Sequence, residues 1–458
     1  MKQLRISDNR RYIVTDDGRP FFYLADTAWE IFHRLDEAAA QRYLCNRAGK
    51  GFTVIQAVAI SEINGIGAPN PYGHLPLVDR DPARPNDAYF RHVDYVVDLA
   101  NSLGLYVALL PTWGHHVYWD GGHVFALKTN ESPVIFNQAN ARLYGEFLGR
   151  RYRDKGVIWV LGGDRPATGV EPVWRAMAEG MRAGDGGTHL ITFHPYGGKS
   201  SGEPFHAEPW LDFNMNQSGH GRRFNDNYRM IETDYNRTPA KPVLDGEPCY
   251  EGIGVAFNGL NGTFTDYDCR IAAWWSVFSG SCGHTYGCSA IWQMWEPKHE
   301  PLIHSGTPWY DAVNMPGSYQ MRHLKDLMLS RPYLSRIPDR SIVYDNDNPR
   351  NHGSDYHAAT RDGTRGRKDA TYLMVYRPVC CWLNVDTSCI AGDKLRPWWF
   401  DPKTGAAYPG RVIDNPRGKW GGDWHWLPWQ LKTDQADWVL VVDDASKGYG
   451  APGDKMPV

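Results

Sequence analysis

Eight short apolar runs separated by amphipathic stretches constrain this chain more than any other feature. The runs are Phe21–Ala25, Thr53–Ile60, Tyr106–Pro111, Val157–Leu161, Leu190–Phe193, Leu211–Met215, Pro242–Leu244 and Gly283–Trp292. Each is nearly continuous in apolar residues rather than alternating, as a strand buried on both faces must be. Between them, Asp36–Ala48, Tyr89–Leu103, Asn137–Arg153 and Val173–Ala183 carry helical periodicity. Strand and helix alternating about eight times over about 330 residues predicts an α/β fold, a closed (β/α)8 TIM barrel rather than an open doubly wound sheet.

The texture changes after His323–Leu329 and the Arg331-Pro332 break. Short β-type runs follow at Tyr372–Tyr376, Trp398–Phe400 and Trp438–Val442, with a turn signal at Asp401-Pro402-Lys403-Thr404-Gly405 and no long helix. This predicts a small antiparallel β-sandwich. At 458 residues the chain exceeds one ordinary core. The expected division is a barrel over 1–340, a sandwich over 341–445 and a loose tail over 446–458.

A net charge of -3 provides no basic field for phosphate backbones, so nucleic acid is not an expected partner. No stretch reaches the length needed to span a bilayer, which also argues against a membrane partner. The first residues run into strand-like sequence without an apolar signal region, and a cytoplasmic location is the expectation. The eight cysteines are Cys45, Cys249, Cys269, Cys282, Cys288, Cys380, Cys381 and Cys389. They form no CxxC pair, and are expected to be mostly buried, reduced thiols. Nineteen tryptophans stand out, because Trp suits sugar rings as well as cores.

In a (β/α)8 barrel the reactive groups project from the carboxyl ends of the strands into one mouth. The first run delivers Asp26 and Trp29, the third Trp113, His115 and His116, and the fourth Gly163, Asp164 and Arg165. The fifth delivers His194 and Tyr196, the sixth Asn216, Gln217 and His220, and the seventh Asp245 and Glu247. The eighth delivers Gln293 and Trp295, with Tyr286 nearer its start. Polar and aromatic residues at nearly every strand end are costly in a core and expected in a binding cleft. Asp164 and Glu247, three strands apart, stand across the lumen. They form the two-carboxyl arrangement that glycosidic hydrolysis requires. Trp29, Trp113, Trp292 and Trp295 are candidates for sugar stacking. Tyr286 is a candidate partner of Glu247, and Asp245 either raises the pKa of Glu247 or binds an arginine or a backbone N–H.

Five histidines (His115, His116, His194, His220 and His284) invite a metal test. Neither an HxH after the first run nor an HExxH is present, and on an extended segment His115 and His116 point to opposite sides. Neither a metal nor any other cofactor is expected. Gly162-Gly163 lacks the GKS/T and GxGxxG context of a phosphate loop and reads as a tight strand-end turn.

The stretches LADTAW (Leu24–Trp29), WGHHV (Trp113–Val117), WVLGGDRP (Trp159–Pro166), DFNMNQSGH (Asp212–His220) and KPVLDGEP (Lys241–Pro248) carry a resemblance. With GKGFTVIQ (Gly49–Gln56), ITFHP (Ile191–Pro195) and Ala273–Trp292, they cover about the first 330 residues in order. The chain resembles the apiosidase-like glycoside hydrolase family 140, and its C-terminal part resembles the collagen-binding-type β-sandwich that accompanies such barrels. The resemblance implies a clan-A-like barrel with Asp164 as acid/base, Glu247 as nucleophile, a retaining mechanism and a β-apioside as substrate. Wider clan members commonly carry Asn-Glu at the end of strand 4. Here the pair is Gly163-Asp164, so another group must bind the sugar 2-hydroxyl; His115, His116 and Asn216 are the candidates. The expected partner is a carbohydrate, bound by Asp26, Trp29, Trp113, His115, His116, Arg165, His194, Asn216, Gln217, Tyr286, Gln293 and Trp295. Rival readings are another furanosidase or glycosidase on the same barrel, a non-catalytic carbohydrate-binding protein and a metal-dependent barrel hydrolase.

Overall fold

In the computed structural model, eight parallel strands stand in sequence order around one axis. They are β1 (Tyr23–Thr27), β2 (Val54–Val58), β3 (Tyr106–Leu110), β4 (Val157–Gly162), β5 (Ile191–His194), β6 (Asn214–Gln217), β7 (Val243–Asp245) and β8 (Gly283–Tyr286). The structure describes residues 1–121, 132–344, 353–379, 383–421 and 437–456. Ladder pairing runs β8-β1-β2-β3-β4-β5 and β6-β7. The two remaining seams close through the Asp212 N–H on Ile191 O and the Cys282 N–H on Val243 O, both 2.9 Å. The result is the (β/α)8 barrel. Every residue of these strands is buried, which is why their sequences are apolar throughout.

The helices follow the sequence signals. Asp36 caps α1 (Glu37–Gly49) by accepting from Ala39 N–H, and Asn137 and Asn140 form a reciprocal box at the start of α3 (Gln138–Tyr152). Between them lies α2 (Asp87–Ser102). Helix α4 (Glu171–Asp185) packs closely on α3: a Cβ at Gly180 would lie 2.1 Å from Arg142 O. The outer layer continues with α5 (Asn227–Tyr235), α6 (Asp266–Phe278) and α7 (Pro316–Leu329).

Two strand expectations need correction. The sixth strand is Asn214–Gln217 rather than Leu211–Met215, and the eighth ends at Tyr286 because Ser289–Trp292 is a helical turn. Between β5 and β6 the crossover holds only the turn Gly202–Phe205, while Lys199–Ser200 pairs antiparallel with β6.

The C-terminal part is a sandwich of a seven-stranded antiparallel sheet and a three-stranded one, with Leu373, Val375, Val385, Leu440 and Val442 between them. Ile337–Pro338 pairs with Ala358–Arg361, so the sandwich begins ahead of residue 341. Its larger sheet covers α6, which explains why that helix is buried from Asp268 to Phe278. Trp274 stacks on Tyr376 with ring centroids 5.6 Å apart, and Arg270 holds Asp437 through two bonds of 2.8 and 3.0 Å. The stretch from 446 is not loose: Gly453 N–H donates to Ser330 Oγ, and Arg331 donates to Gly450 O. Cys45 is exposed, and Cys249, Cys269, Cys282, Cys288 and Cys389 are buried and free; Cys380 and Cys381 lie outside the described residues.

Candidate active site

The loops after the strands enclose a cavity of about 910 Å3 at the carboxyl end of the barrel. Trp29 enters from after β1, Glu62 from β2, Trp113 from β3, Asp164 and Arg165 from β4, and Gln217 and His220 from β6. Glu247 and Tyr250 follow β7, and Trp292 with Leu302–His304 follow β8. The two acids singled out from the sequence therefore line one cavity. Asp164 and Arg165 also border an adjoining recess of about 310 Å3 with Tyr118, Trp119 and Tyr196.

Glu247 is buried, and two histidines receive its carboxylate. His220 Nε2 lies 3.2 Å from Oε1 and His194 Nε2 lies 3.0 Å from Oε2. Tyr250 N–H donates to His220 Nδ1 at 3.3 Å, so Nε2 carries the hydrogen that faces Glu247. The His194 contact is close but poorly aligned, and neither of its two atoms has a proper hydrogen bond. His194 is wedged by Trp29 (5.5 Å, edge-on) and Trp113 (5.8 Å). Burial pushes the Glu247 carboxyl up, but the two histidines more than offset this and hold it at about 2. The Tyr250 hydroxyl sits between Thr27 Oγ1 and Glu247.

Asp164 is the opposite case. It ends a turn in which Gly162, Gly163 and Asp164 all have positive φ, at 90°, 120° and 54°. The turn is fixed by Gly163 N–H on His194 O and Gly114 N–H on Gly163 O, both 3.0 Å. A Cβ at Gly163 would lie 2.8 Å from Gly114 N and 2.9 Å from the Trp113 ring. No side chain fits there, which accounts for the departure from the clan Asn. The Asp164 carboxyl accepts from Gln217 Nε2 at 3.2 Å. Burial and the charge of Glu247 raise its pKa, with Arg165, His194 and Gln217 pulling the other way. One cavity thus holds an ionised carboxylate and a carboxyl biased towards its proton, the pair of states an acid and a nucleophile need.

Other sequence candidates fall outside the cavity, for a common reason. Asp26 and Tyr286 are register partners on β1 and β8, and both face the helix layer. Asp26 pairs with Arg47 and Tyr43 of α1, and the Tyr286 hydroxyl donates to Glu251. The tyrosine beside Glu247 is Tyr250 instead. Asn216 is level with Asp245, whose carboxylate accepts from Ser218 and from Asn227 of α5, so Asn216 also faces outward. The Ser218 N–H, 3.3 Å from Asp245 Oδ1, is the backbone donor of the second reading given above for Asp245. His115 and His116 lie in a 3-10 turn rather than an extended segment. Their rings are therefore 4.0 Å apart and bonded Nε2 to Nε2, with burial holding both pKa values low. Gln293 and Trp295 act from behind: Gln293 bonds to Leu302 and Ile303 of the cavity wall, and Trp295 to His299.

Sequence reasoning missed Glu62 and Tyr250, and left His220 out of the binding set. The strand-end rule that found Asp164 would have found Glu62, four residues beyond β2. Among the described residues no group of three or more His, Cys, Asp or Glu is placed to hold a metal ion.

A model of the apiosidase-like catalytic domain matches residues 7–335, and one described as a collagen-binding domain of a collagenase matches 337–443. A solved glycoside hydrolase is 34% identical over 97% of both chains, with a TM-score of 0.84. A glycoside hydrolase family 5 structure from Bacteroides vulgatus is 32% identical over 99% of this chain and 96% of its own, with a TM-score of 0.86. Another glycoside hydrolase from that organism, 13% identical with a TM-score of 0.66, shares the fold. No curated protein matches the chain.

Proposed function

The chain belongs to the apiosidase-like glycoside hydrolases, and from that membership we propose that it cleaves β-apiosides with retention, Asp164 serving as acid/base and Glu247 as nucleophile. The observation that carries the proposal is the division of states between two acids in one cavity. Glu247 is held ionised by His194 and His220, while Asp164 is biased towards its protonated form. In the first step Asp164 protonates the glycosidic oxygen as Glu247 attacks the anomeric carbon, and the leaving group departs with the proton. In the second, Asp164 takes a proton from water, which displaces Glu247 and restores both acids. Trp29, Trp113 and Trp292 offer the sugar apolar walls, and Gln217 and Arg165 offer it hydrogen bonds beside Asp164.

The test is hydrolysis of 4-nitrophenyl β-D-apiofuranoside against the other pentofuranosides, with NMR of the first sugar released. Retention, which requires carboxyl groups about 5–5.5 Å apart, gives the β anomer first. Initial release of the α anomer would remove Glu247 from the nucleophile role. Cleavage of arabinofuranoside but not apioside would keep the mechanism and change the sugar.

A further inference from the structure

Three carboxyl groups line the cavity, and the mechanism above uses two. The third, Glu62, stands on a short loop that its surroundings hold firmly. Glu30 Oε1 accepts Ile63 N–H at 3.1 Å, Glu30 Oε2 bonds His33 Nδ1 at 2.8 Å, and Ser61 Oγ reaches the same His33 nitrogen at 3.0 Å. The Glu62 backbone carbonyl accepts Asn64 N–H. Its carboxyl, half-buried in the cavity wall, has no hydrogen-bond or ion-pair partner among the described residues. Leaving a polar group short of partners costs free energy, and adding a third acid to a site that already holds two costs more. Fold stability therefore gives no reason for Glu62, whereas a bound sugar would satisfy it.

We propose that Glu62 is a substrate-binding residue that takes adjacent hydroxyls of the sugar ring held between Asp164 and Glu247, and thereby selects which glycosides enter. This rests on the reading of those two acids as the catalytic pair. The groups that act on Glu62 are Asp164 and Arg165 from after β4, Glu30 from after β1 and Glu247 from after β7. Burial and these acids outweigh the guanidinium and push Glu62 up to about 8, which favours its protonated form at pH 7. A neutral carboxyl donates from one oxygen and accepts on the other, which matches two neighbouring hydroxyls.

The experiment compares E62A and E62Q with the wild type on 4-nitrophenyl β-D-apiofuranoside. E62A should raise KM by about tenfold while kcat falls less than about threefold, the loss of one to two hydrogen bonds. E62Q keeps a donor and an acceptor and should lose less than E62A. On the alkaline side, wild-type kcat/KM should fall with the loss of two protons, from Glu62 and Asp164, and that of E62Q with the loss of one. An unchanged KM in E62A overturns the inference. A wild type inactive on the apioside refutes the sugar assignment instead. Glu62 is then tested through the thermal shift that D-apiose, L-arabinose or D-galactose gives E247Q and E62A/E247Q. A shift present in the first and lost in the second supports it, and equal shifts or none overturn it.

Discussion

His220 Nε2 stands 3.2 Å from Glu247 Oε1, and this contact helps decide which acid in the cavity is ionised. Glu247 has a depressed folded pKa of about 2, so its ionised form is present at all higher pH and lost only as pH falls towards that value. Wild-type kcat/KM should therefore show no acid limb from Glu247 between pH 7 and about 5. H220A removes one donor, and its acid limb should move up towards the ordinary carboxylate range near pH 4.3. Rate profiles from pH 3 to 8 measure this; coincident limbs would show that His220 does not tune Glu247.

Asp164 has the opposite bias, its pKa raised by burial and by Glu247, so its proton is retained further up the pH scale and lost on the alkaline side. Removing a general acid hurts most where the leaving group most needs a proton. D164N should lose about 10–100-fold on a 4-nitrophenyl glycoside and about 10^3-fold or more on an alkyl glycoside. Equal losses on the two substrates would argue against proton donation from this residue.

Tyr250 and Tyr286 separate a site tyrosine from a structural one. Y250F takes a hydroxyl away from Glu247 and Thr27 and should lower kcat/KM about tenfold. Y286F leaves Glu251 without one donor, with only Gly317 N–H remaining in its place, and should lower Tm by a few degrees while KM stays near wild type. Steady-state kinetics and thermal unfolding on both variants distinguish the roles.

What the sequence made legible follows from regularity. A strand buried on both faces has little choice but continuous apolar residues, and a barrel leaves few places for strand-end acids other than its mouth. The eight strands and the meeting of Asp164 with Glu247 in one cavity followed from that. Facing was not legible, because Asp26 stands one residue before the end of its strand and Tyr286 at the end of its own, where inward and outward differ by one position. Beyond the strand end the period of two lapses, so Tyr250, three residues after Glu247, lines the same cavity while Asp245, two before, faces Asn227 of α5.

Arg47 and Asp26 test the outward assignment directly. Both are fully buried, and Asp26 accepts from Arg47 Nε and from Tyr43. R47M strands a buried carboxylate and should cost about 3–5 kcal/mol of stability. Molecules that remain folded should turn over within about twofold of wild type, since neither residue lines the cavity. Denaturant unfolding gives the first figure, and active-site-titrated rates give the second. A selective rise in KM would return Asp26 to the substrate.

Gly163 shows how the turn and the chemistry are linked. The wider clan places Asn before a Glu at this strand end, and here φ is 120° with Gly114 N and the Trp113 ring where a Cβ would go. Asn at this position would have to displace the backbone that Gly114 and His194 hold, in a region of φ that L residues rarely occupy, at about 2–3 kcal/mol or more. His194 is the neighbour of Glu247, so the displacement passes from Asp164 to Glu247. G163N, alone or with D164E, should therefore lower Tm by several degrees and cut kcat/KM at least about 100-fold, even though D164E lengthens the acid as in the clan. A double variant with wild-type Tm and activity would mean that the Gly163-Asp164 pair is interchangeable with the clan pair, and that the glycine turn does not set the position of the residue-164 carboxyl.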